Sequence, residues 1–200
     1  MINTVLVVMA AALVTGLAAP VRAQMLSGPA LVKALQAGGH VIVMRHASSP
    51  SQIPEKPNPD NVPPERQLDE QGRRTATAMG EALRRLKIPI GETLTGPAYR
   101  TRETARRMGL PNPRPAAELG EITGPMLPAS KAQAEWLQKK VTELPRGTNT
   151  VLVTHVPNIS AAFPEPPAAD QGEALVFGSD GKGGSRLVGR ITIEEWVSLR

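Results

Sequence analysis

Residues 39–47 read GHVIVMRHA, with four apolar residues between a Gly-His pair and an Arg-His pair. A short apolar run bounded in this way is typical of a strand that is buried on both faces. In an open α/β sheet, ligands bind just beyond the carboxyl ends of the strands. Arg45 and His46 stand at such an end, where a permanent cation and an imidazole suit an anion such as phosphate.

Length and composition limit the possible functions. The chain has 200 residues, which is enough for one domain with a core, and with 2% aromatic residues that core must be built from aliphatic side chains and Met. The net charge of +5 favours acidic or phosphorylated partners. Nucleic acid is not an expected partner, because no binding motif and few stacking aromatics are present. Without cysteine, disulfides and thiolate chemistry are excluded.

The N-terminus resembles an export signal. Residues 5–19 are apolar apart from Thr15 and Gly16, and small or compact residues precede Gln24 at positions −3 and −1. This predicts a signal peptide over residues 1–23, cleaved after Ala23, and a single periplasmic or secreted domain over residues 24–200. The first four residues lack Lys and Arg, so an uncleaved anchor is the alternative. The run is short for spanning, which takes about 17–25 residues, and we expect no stable membrane insertion after cleavage.

Hydrophobic periodicity predicts the order of the elements. Helices are expected over residues 27–37, 69–86, 99–108 and 129–144, with a short one starting near Pro157. Strands are expected in residues 39–44, 91–95, 149–154, 173–177 and 186–193, and residues 116–122 include a further candidate. This alternation predicts an α/β three-layer sandwich, with a mostly parallel central sheet and helices on both faces. Residues 48–64 form a proline-rich loop that starts beside the proposed site.

Three predicted strands lead to cationic or imidazole side chains. The first ends in Arg45 and His46, and the strand over residues 149–154 ends in His155. A third continues through a Gly-Pro turn to Arg100, in the first turn of the next helix. An arginine there opposes the helix dipole, whereas a helix N-terminus favours anions. We therefore expect Arg100 to point at a bound anion.

Four segments, in order, resemble the histidine phosphatase superfamily, whose fold is phosphoglycerate mutase-like. The triplet Arg45-His46-Ala47 resembles its Arg-His-Gly signature, with Ala47 in place of the usual glycine. Residues 66–72 (RQLDEQG) are similar to its Leu-Thr-x-x-Gly segment, and residues 96–105 (GPAYRTRETA) resemble its Ser-x-x-x-Arg-x-x-x-Thr-Ala segment. Residues 151–155 (VLVTH) resemble the strand before its second histidine. The likeness runs from about Gly39 to the C-terminus and is that of a small exported member of the Arg-His-Gly branch.

The resemblance implies a phosphoryl transfer in two steps. His46 would be the nucleophile and form a phosphohistidine, while Arg45, Arg100 and His155 hold the phosphoryl oxygens. His46 must then be neutral, with its tautomer fixed for instance by a backbone carbonyl, whereas His155 is expected to be protonated. Ser48 is a further candidate for substrate binding, and a role in a turn is the alternative.

The proton donor is the least determined residue. Glu121 lies in LGEITG, residues 119–124, which resembles the family's Leu-x-Glu segment, although a solvated loop glutamate is the alternative. Other candidates are Glu118, Asp60, Glu65 and Asp69, of which Asp69 is expected to cap a helix. Val156-Pro157 follows His155 where the phytase and acid-phosphatase branch has His-Asp, which argues against that branch.

Two polar residues near the site are expected to have structural roles. We expect Arg66 to pair with a surface carboxylate and Asn158 to cap the short helix, and the alternative for each is a place at the pocket. The arginines repel cations, so neither a metal nor another cofactor is expected.

The function predicted from the sequence is a phosphoric monoester hydrolase acting on a phosphomonoester or a phosphohistidine. Its partner would be a small phosphorylated substrate or a phosphoprotein. The alternatives are a phosphate-binding module without turnover and a phosphomutase.

Overall fold

The computed structural model describes residues 25–56, 58–60, 64–121, 128–165 and 169–199. The predicted signal peptide and its cleavage site lie outside these residues. Within them, no helix is both long enough and apolar enough to cross a bilayer.

Six strands form one sheet. They are β1 (His40–Arg45), β2 (Ile90–Thr95), β3 (Arg114–Pro115), β4 (Asn149–Thr154), β5 (Ala174–Ser179) and β6 (Ser185–Ile191). Their order across the sheet is β3-β2-β4-β1-β5-β6. The pairs β1–β4, β2–β4 and β2–β3 are parallel, whereas β5 is antiparallel to both β1 and β6. The sheet is therefore mostly parallel, as predicted.

Helices cover both faces of this sheet. They are α1 (Gly28–Ala37), α2 (Glu70–Arg85), α3 (Tyr99–Met108), α4 (Lys131–Lys140), α5 (Val156–Ala162) and α6 (Glu195–Ser198). Because strand side chains alternate, Ile42 and Met44 pack into a core with α1, α2, α3 and α6. Val41 and Val43 pack on the other face with α4 and α5. The predicted three-layer α/β sandwich is thus confirmed.

Two elements differ from the prediction. The strand expected within residues 116–122 is instead β3, Arg114–Pro115, followed by a 3-10 turn over Ala117–Leu119. Proline has no N–H to donate, so a proline-rich segment supports only a short edge strand. Helix α4 is shorter than the predicted residues 129–144: it starts at Lys131, where Ser130 and Gln133 close a capping box, and it ends at Lys140.

Close backbone packing between α2 and α3 depends on Gly80. A Cβ at this position would lie 1.9 Å from the Met108 carbonyl oxygen. The two helices can approach this closely only because the glycine has no side chain. This contact fixes α3, which carries Arg100, against the layer formed by α2.

We expect Gly80→Ala to destabilise the protein by about 1–3 kcal/mol, because the added methyl group forces the two backbones apart. In a free helix the same change would stabilise by about 1 kcal/mol. Urea unfolding measures the difference, and Gln71→Ala on the exposed face of α2 is the control, with a change of at most about 0.5 kcal/mol. A Gly80→Ala variant as stable as the wild type would contradict this account of the packing.

Candidate active site

The backbone around His46 is fixed by three other segments. Its N–H donates to the carbonyl oxygen of Thr154 at the end of β4 (3.0 Å), and its own carbonyl accepts from Gly172 N–H (3.0 Å). The next N–H, that of Ala47, donates to the Thr104 hydroxyl of α3 (3.1 Å). His46 therefore has little freedom beyond its side-chain torsions.

The His46 ring is held in one tautomer. Its Nδ1 lies 2.8 Å from the Ala47 carbonyl oxygen, which can only accept, so Nδ1 carries the proton. Its Nε2 keeps the lone pair and accepts from Arg100 Nε (3.3 Å). Burial, then the charges of His155, Arg100 and Arg45, lower the pKa of His46 to about 3. His46 is thus a neutral imidazole whose Nε2 lone pair carries no proton and faces the guanidinium of Arg100.

Arg100 connects the groups of the site. It lies in the first turn of α3 and is 4% exposed. One of its terminal nitrogens, NH2, pairs with Oε2 of Glu121 and lies 3.4 Å from Nδ1 of His155. Its carbonyl accepts from the Thr104 hydroxyl (2.8 Å), and the same hydroxyl accepts from the Ala47 N–H (3.1 Å). Arg100 therefore lies between the two histidines and Glu121.

His155 ends β4 beside His46, with the ring centroids 5.3 Å apart in an edge-to-face arrangement. Its Nδ1 lies 3.2 Å from Oε1 of Glu121. Its Nε2 is buried and has no hydrogen-bond partner among the described residues. A Cβ on Gly96 would lie 3.3 Å from this nitrogen, so Nε2 faces the turn after β2, whereas Nδ1 faces Glu121.

The expected protonation of His155 is wrong for the ligand-free protein. Burial lowers the pKa of His155 to about 3, and the guanidinium groups of Arg100, Arg66 and Arg45 act in the same direction. His155 is therefore neutral at neutral pH in the ligand-free site.

Two more arginines face this centre. Arg45 Nε is buried without a partner among the described residues, and burial lowers the pKa of its guanidinium. Arg66 does not make the expected pair with a surface carboxylate: it donates to the carbonyls of Pro50 (2.7 Å) and Ser49 (3.1 Å). Its charge is one of those that lower the pKa of His155. Arg66 therefore belongs to the electrostatic surroundings of the site.

Among the acidic candidates, Glu121 is the one whose carboxylate contacts both Arg100 and His155. Glu65 accepts from the Tyr99 N–H at the start of α3 (2.9 Å). Asp69 caps α2 through the Gly72 N–H (2.7 Å), as expected. Of the acidic candidates, the structure therefore places Glu121 against the arginine and the second histidine.

Ser48 is engaged within the fold. Its hydroxyl donates to Oδ2 of Asp69 at 2.6 Å, so its single donor is used there. The structure thus shows Ser48 supporting the start of α2, and it shows no donor left for a phosphate.

Asn158 is not the helix cap that we expected. Its Nδ2 donates to the carbonyls of Glu118 and Gly120, both at 3.0 Å. Sequence reasoning missed this contact with the segment before Glu121. The spacing of Asn158, Ile159 and Ala162 on one buried face of α5 was the available signal.

The assembled groups can bind an anion. Arg45, Arg66 and Arg100 surround two neutral imidazoles and one carboxylate. Two buried nitrogens, Nε of Arg45 and Nε2 of His155, have no hydrogen-bond partner among the described residues. In the described part of the chain, no three His, Asp or Glu side chains come together as metal ligands. The arrangement can hold the oxygens of a phosphoryl group and present it to Nε2 of His46.

Comparison with solved structures gives clear matches. The structure of the protein histidine phosphatase SixA complexed with tungstate matches with a TM-score of 0.57 and 18% identity, over 78% of this chain and 98% of that one. A mycobacterial glucosyl-3-phosphoglycerate phosphatase with inorganic phosphate matches with a TM-score of 0.51 and 16% identity, over 78% and 98%. The chain has the phosphoglycerate mutase-like fold. These structural neighbours are members of the histidine phosphatase superfamily.

Sequence comparison adds no relative. No family model and no curated protein sequence matches the chain. At this low identity the structural likeness establishes the fold, and the chemistry of the site rests on its own side chains.

The two depressed histidine pKa values predict loss of stability in acid. In the unfolded chain each of the two histidines has a pKa near 6.5, whereas in the native site the pKa of each is about 3. The contribution to stability is therefore complete above about pH 6.5 and is lost as the pH falls toward 3. In urea unfolding without phosphate, wild type should lose about 2 kcal/mol more between pH 7 and pH 5 than His46→Asn. Equal losses would show that His46 is not a buried neutral base.

Proposed function

We propose that this protein is a phosphatase that hydrolyses a phosphomonoester or phosphohistidine through a phosphohistidine intermediate on His46. The observation that carries the proposal is the state of the His46 ring. It is buried and neutral, with the Nδ1 proton held by the Ala47 carbonyl and the Nε2 lone pair beside Arg100. A neutral, oriented nucleophile among cations is what attack on a phosphoryl group requires.

In the first step, the His46 Nε2 lone pair forms a bond to phosphorus as the bond from phosphorus to the leaving oxygen breaks. Arg45, Arg100 and His155 hold the phosphoryl oxygens and offset their charge. Protonated Glu121 gives its proton to the leaving oxygen, so an alcohol departs.

In the second step, water attacks phosphorus and the phosphorus–nitrogen bond breaks. The Glu121 carboxylate takes a proton from that water, and the lone pair returns to Nε2 of His46. Inorganic phosphate is released, and both residues are restored to their starting states.

Substrate binding prepares Glu121 for the first step. In the ligand-free site its carboxylate occupies Arg100 NH2 and Nδ1 of His155. A phosphoryl dianion competes for those groups and disfavours a second negative charge beside it, so Glu121 takes up a proton from solvent as the substrate binds and returns it to solvent when phosphate leaves. The bound substrate thereby creates the proton donor that the leaving group needs.

The solved neighbours support the reaction class. Their names describe a protein histidine phosphatase and a sugar phosphatase, and the bound tungstate and phosphate are tetrahedral oxyanions. Both names describe removal of a phosphoryl group, which is the reaction class proposed for this chain.

His46→Ala is expected to lower turnover of 4-nitrophenyl phosphate by about three orders of magnitude or more, because the covalent route is lost. His40→Ala is the matched control, since His40 begins β1 while His46 follows its end. It should retain most of the activity. Equal activity of wild type and His46→Ala would overturn the nucleophile assignment. Phosphate binding without turnover by wild type would favour a binding module, and transfer to an acceptor alcohol would favour a mutase.

Glu121→Gln should affect poor leaving groups most. We expect kcat/KM to fall by about 100-fold for an alkyl phosphate but by less than about 10-fold for 4-nitrophenyl phosphate, whose leaving group needs little protonation. Inorganic phosphate should inhibit the variant several-fold more strongly, because its internal competitor for Arg100 is gone. Glu118→Gln is the control and should change neither property. Equal losses on both substrates would move the proton donor to another residue.

A further inference from the structure

We infer that Asn158 is a positioning residue for Glu121: it holds the backbone that precedes the glutamate and so aims the carboxylate at the phosphoryl site. This inference rests on the proposed function, because it concerns the proton donor of that reaction. It is carried by the hydrogen bonds of the segment before Glu121.

Three consecutive carbonyls of that segment accept from side chains of three different elements. Asn158 of α5 donates to Glu118 and Gly120, both at 3.0 Å. Thr154 of β4 donates to Leu119 at 2.9 Å. The Gly120 carbonyl also receives Gln133 Nε2 of α4 at 2.9 Å. The segment is thus fastened to the sheet and to both helices of one layer.

These bonds act directly on Glu121. The Gly120 carbonyl and the Glu121 N–H belong to one planar peptide group, so two donors on that carbonyl fix the plane from which Glu121 extends. The Glu121 side chain itself is 39% exposed, whereas that of Arg100 is 5% exposed. Packing therefore holds the arginine, but the carboxylate depends on its backbone for its position.

Asn158 makes two of these four hydrogen bonds. It is 1% exposed and uses both amide hydrogens on the segment. It also lies in the first turn of α5, directly after His155, whose Nδ1 contacts Glu121. Asn158 therefore couples the positions of the glutamate and of the second histidine.

The test compares Asn158→Asp with a matched asparagine. Aspartate keeps the shape but cannot donate to the two carbonyls, so kcat/KM for an alkyl phosphate should fall about tenfold or more, with less than about a threefold loss for 4-nitrophenyl phosphate. Asn149 also donates to two carbonyls, those of Leu35 (2.8 Å) and Pro89 (2.9 Å), but at the opposite end of β4. Asn149→Asp should leave the substrate ratio, kcat/KM for the alkyl phosphate divided by kcat/KM for 4-nitrophenyl phosphate, unchanged. A ratio unchanged in Asn158→Asp, or equally changed in both variants, would overturn the inference.

A double-mutant comparison separates positioning from general loss of structure. If Asn158 acts through Glu121, Asn158→Asp should cause no further change of the substrate ratio in a Glu121→Gln background. Additive changes in the ratio would overturn the inference while leaving His46 as the nucleophile.

Phosphate binding provides a readout without turnover. A loosened Glu121 competes less well for Arg100, so Asn158→Ala, which adds no charge beside the anion site, should bind inorganic phosphate several-fold more tightly, as Glu121→Gln does. Wild-type affinity in Asn158→Ala, with tighter binding in Glu121→Gln, would contradict the inference whether or not the protein is a phosphatase.

Gln133 supplies a second route if Asn158 variants do not fold. Gln133→Ala removes another donor to the Gly120 carbonyl and also opens the capping box with Ser130. Ser130→Ala weakens the capping box alone. A shift of the substrate ratio in Gln133→Ala but not in Ser130→Ala supports the inference, and no shift in either overturns it.

Discussion

The guanidinium of Arg100 is the group on which the rest of the site depends. A cation buried in the first turn of a helix is unfavourable twice, through its desolvation and through the positive end of the helix dipole. The structure offsets this cost with Glu121, with the lone pair of His46 and with Glu65 at the helix start. Such a group is stable there only with anions or acceptors around it, and a phosphoryl dianion satisfies it better than a single carboxylate.

The sheet brings these partners to Arg100. In the β1–β4 register Arg45 lies opposite Thr154, so the residues that follow, His46 and His155, are neighbours. The turn after β2 passes close to the second histidine at Gly96, where a Cβ would lie 2.5 Å from the Leu119 carbonyl oxygen and 3.3 Å from His155 Nε2. Because the strands are parallel and Gly96 has no side chain where the turn crosses, the ends of three strands can meet in one site.

Much of this arrangement could be predicted from the sequence, because it follows from local patterns. The apolar runs gave the buried strands, and Arg45, His46, Arg100 and His155 follow strand ends or a helix start. The charge state of His155 could not be predicted, because it depends on burial and on arginines from three distant segments. A place beside the site is only the alternative expectation for Arg66 and Asn158, since both donate to carbonyls of loops whose paths no local pattern reveals.

The central claim is that His46 becomes covalently phosphorylated. The most direct test is to react the enzyme with a ³²P-labelled phosphomonoester, stop the reaction rapidly with alkaline detergent, and map the labelled peptides at alkaline pH. The account predicts label that is stable in alkali, labile in acid, located on the peptide that contains His46, and missing in His46→Ala. Turnover of the substrate without any such label on the wild-type protein, or label that persists in His46→Ala, would contradict it.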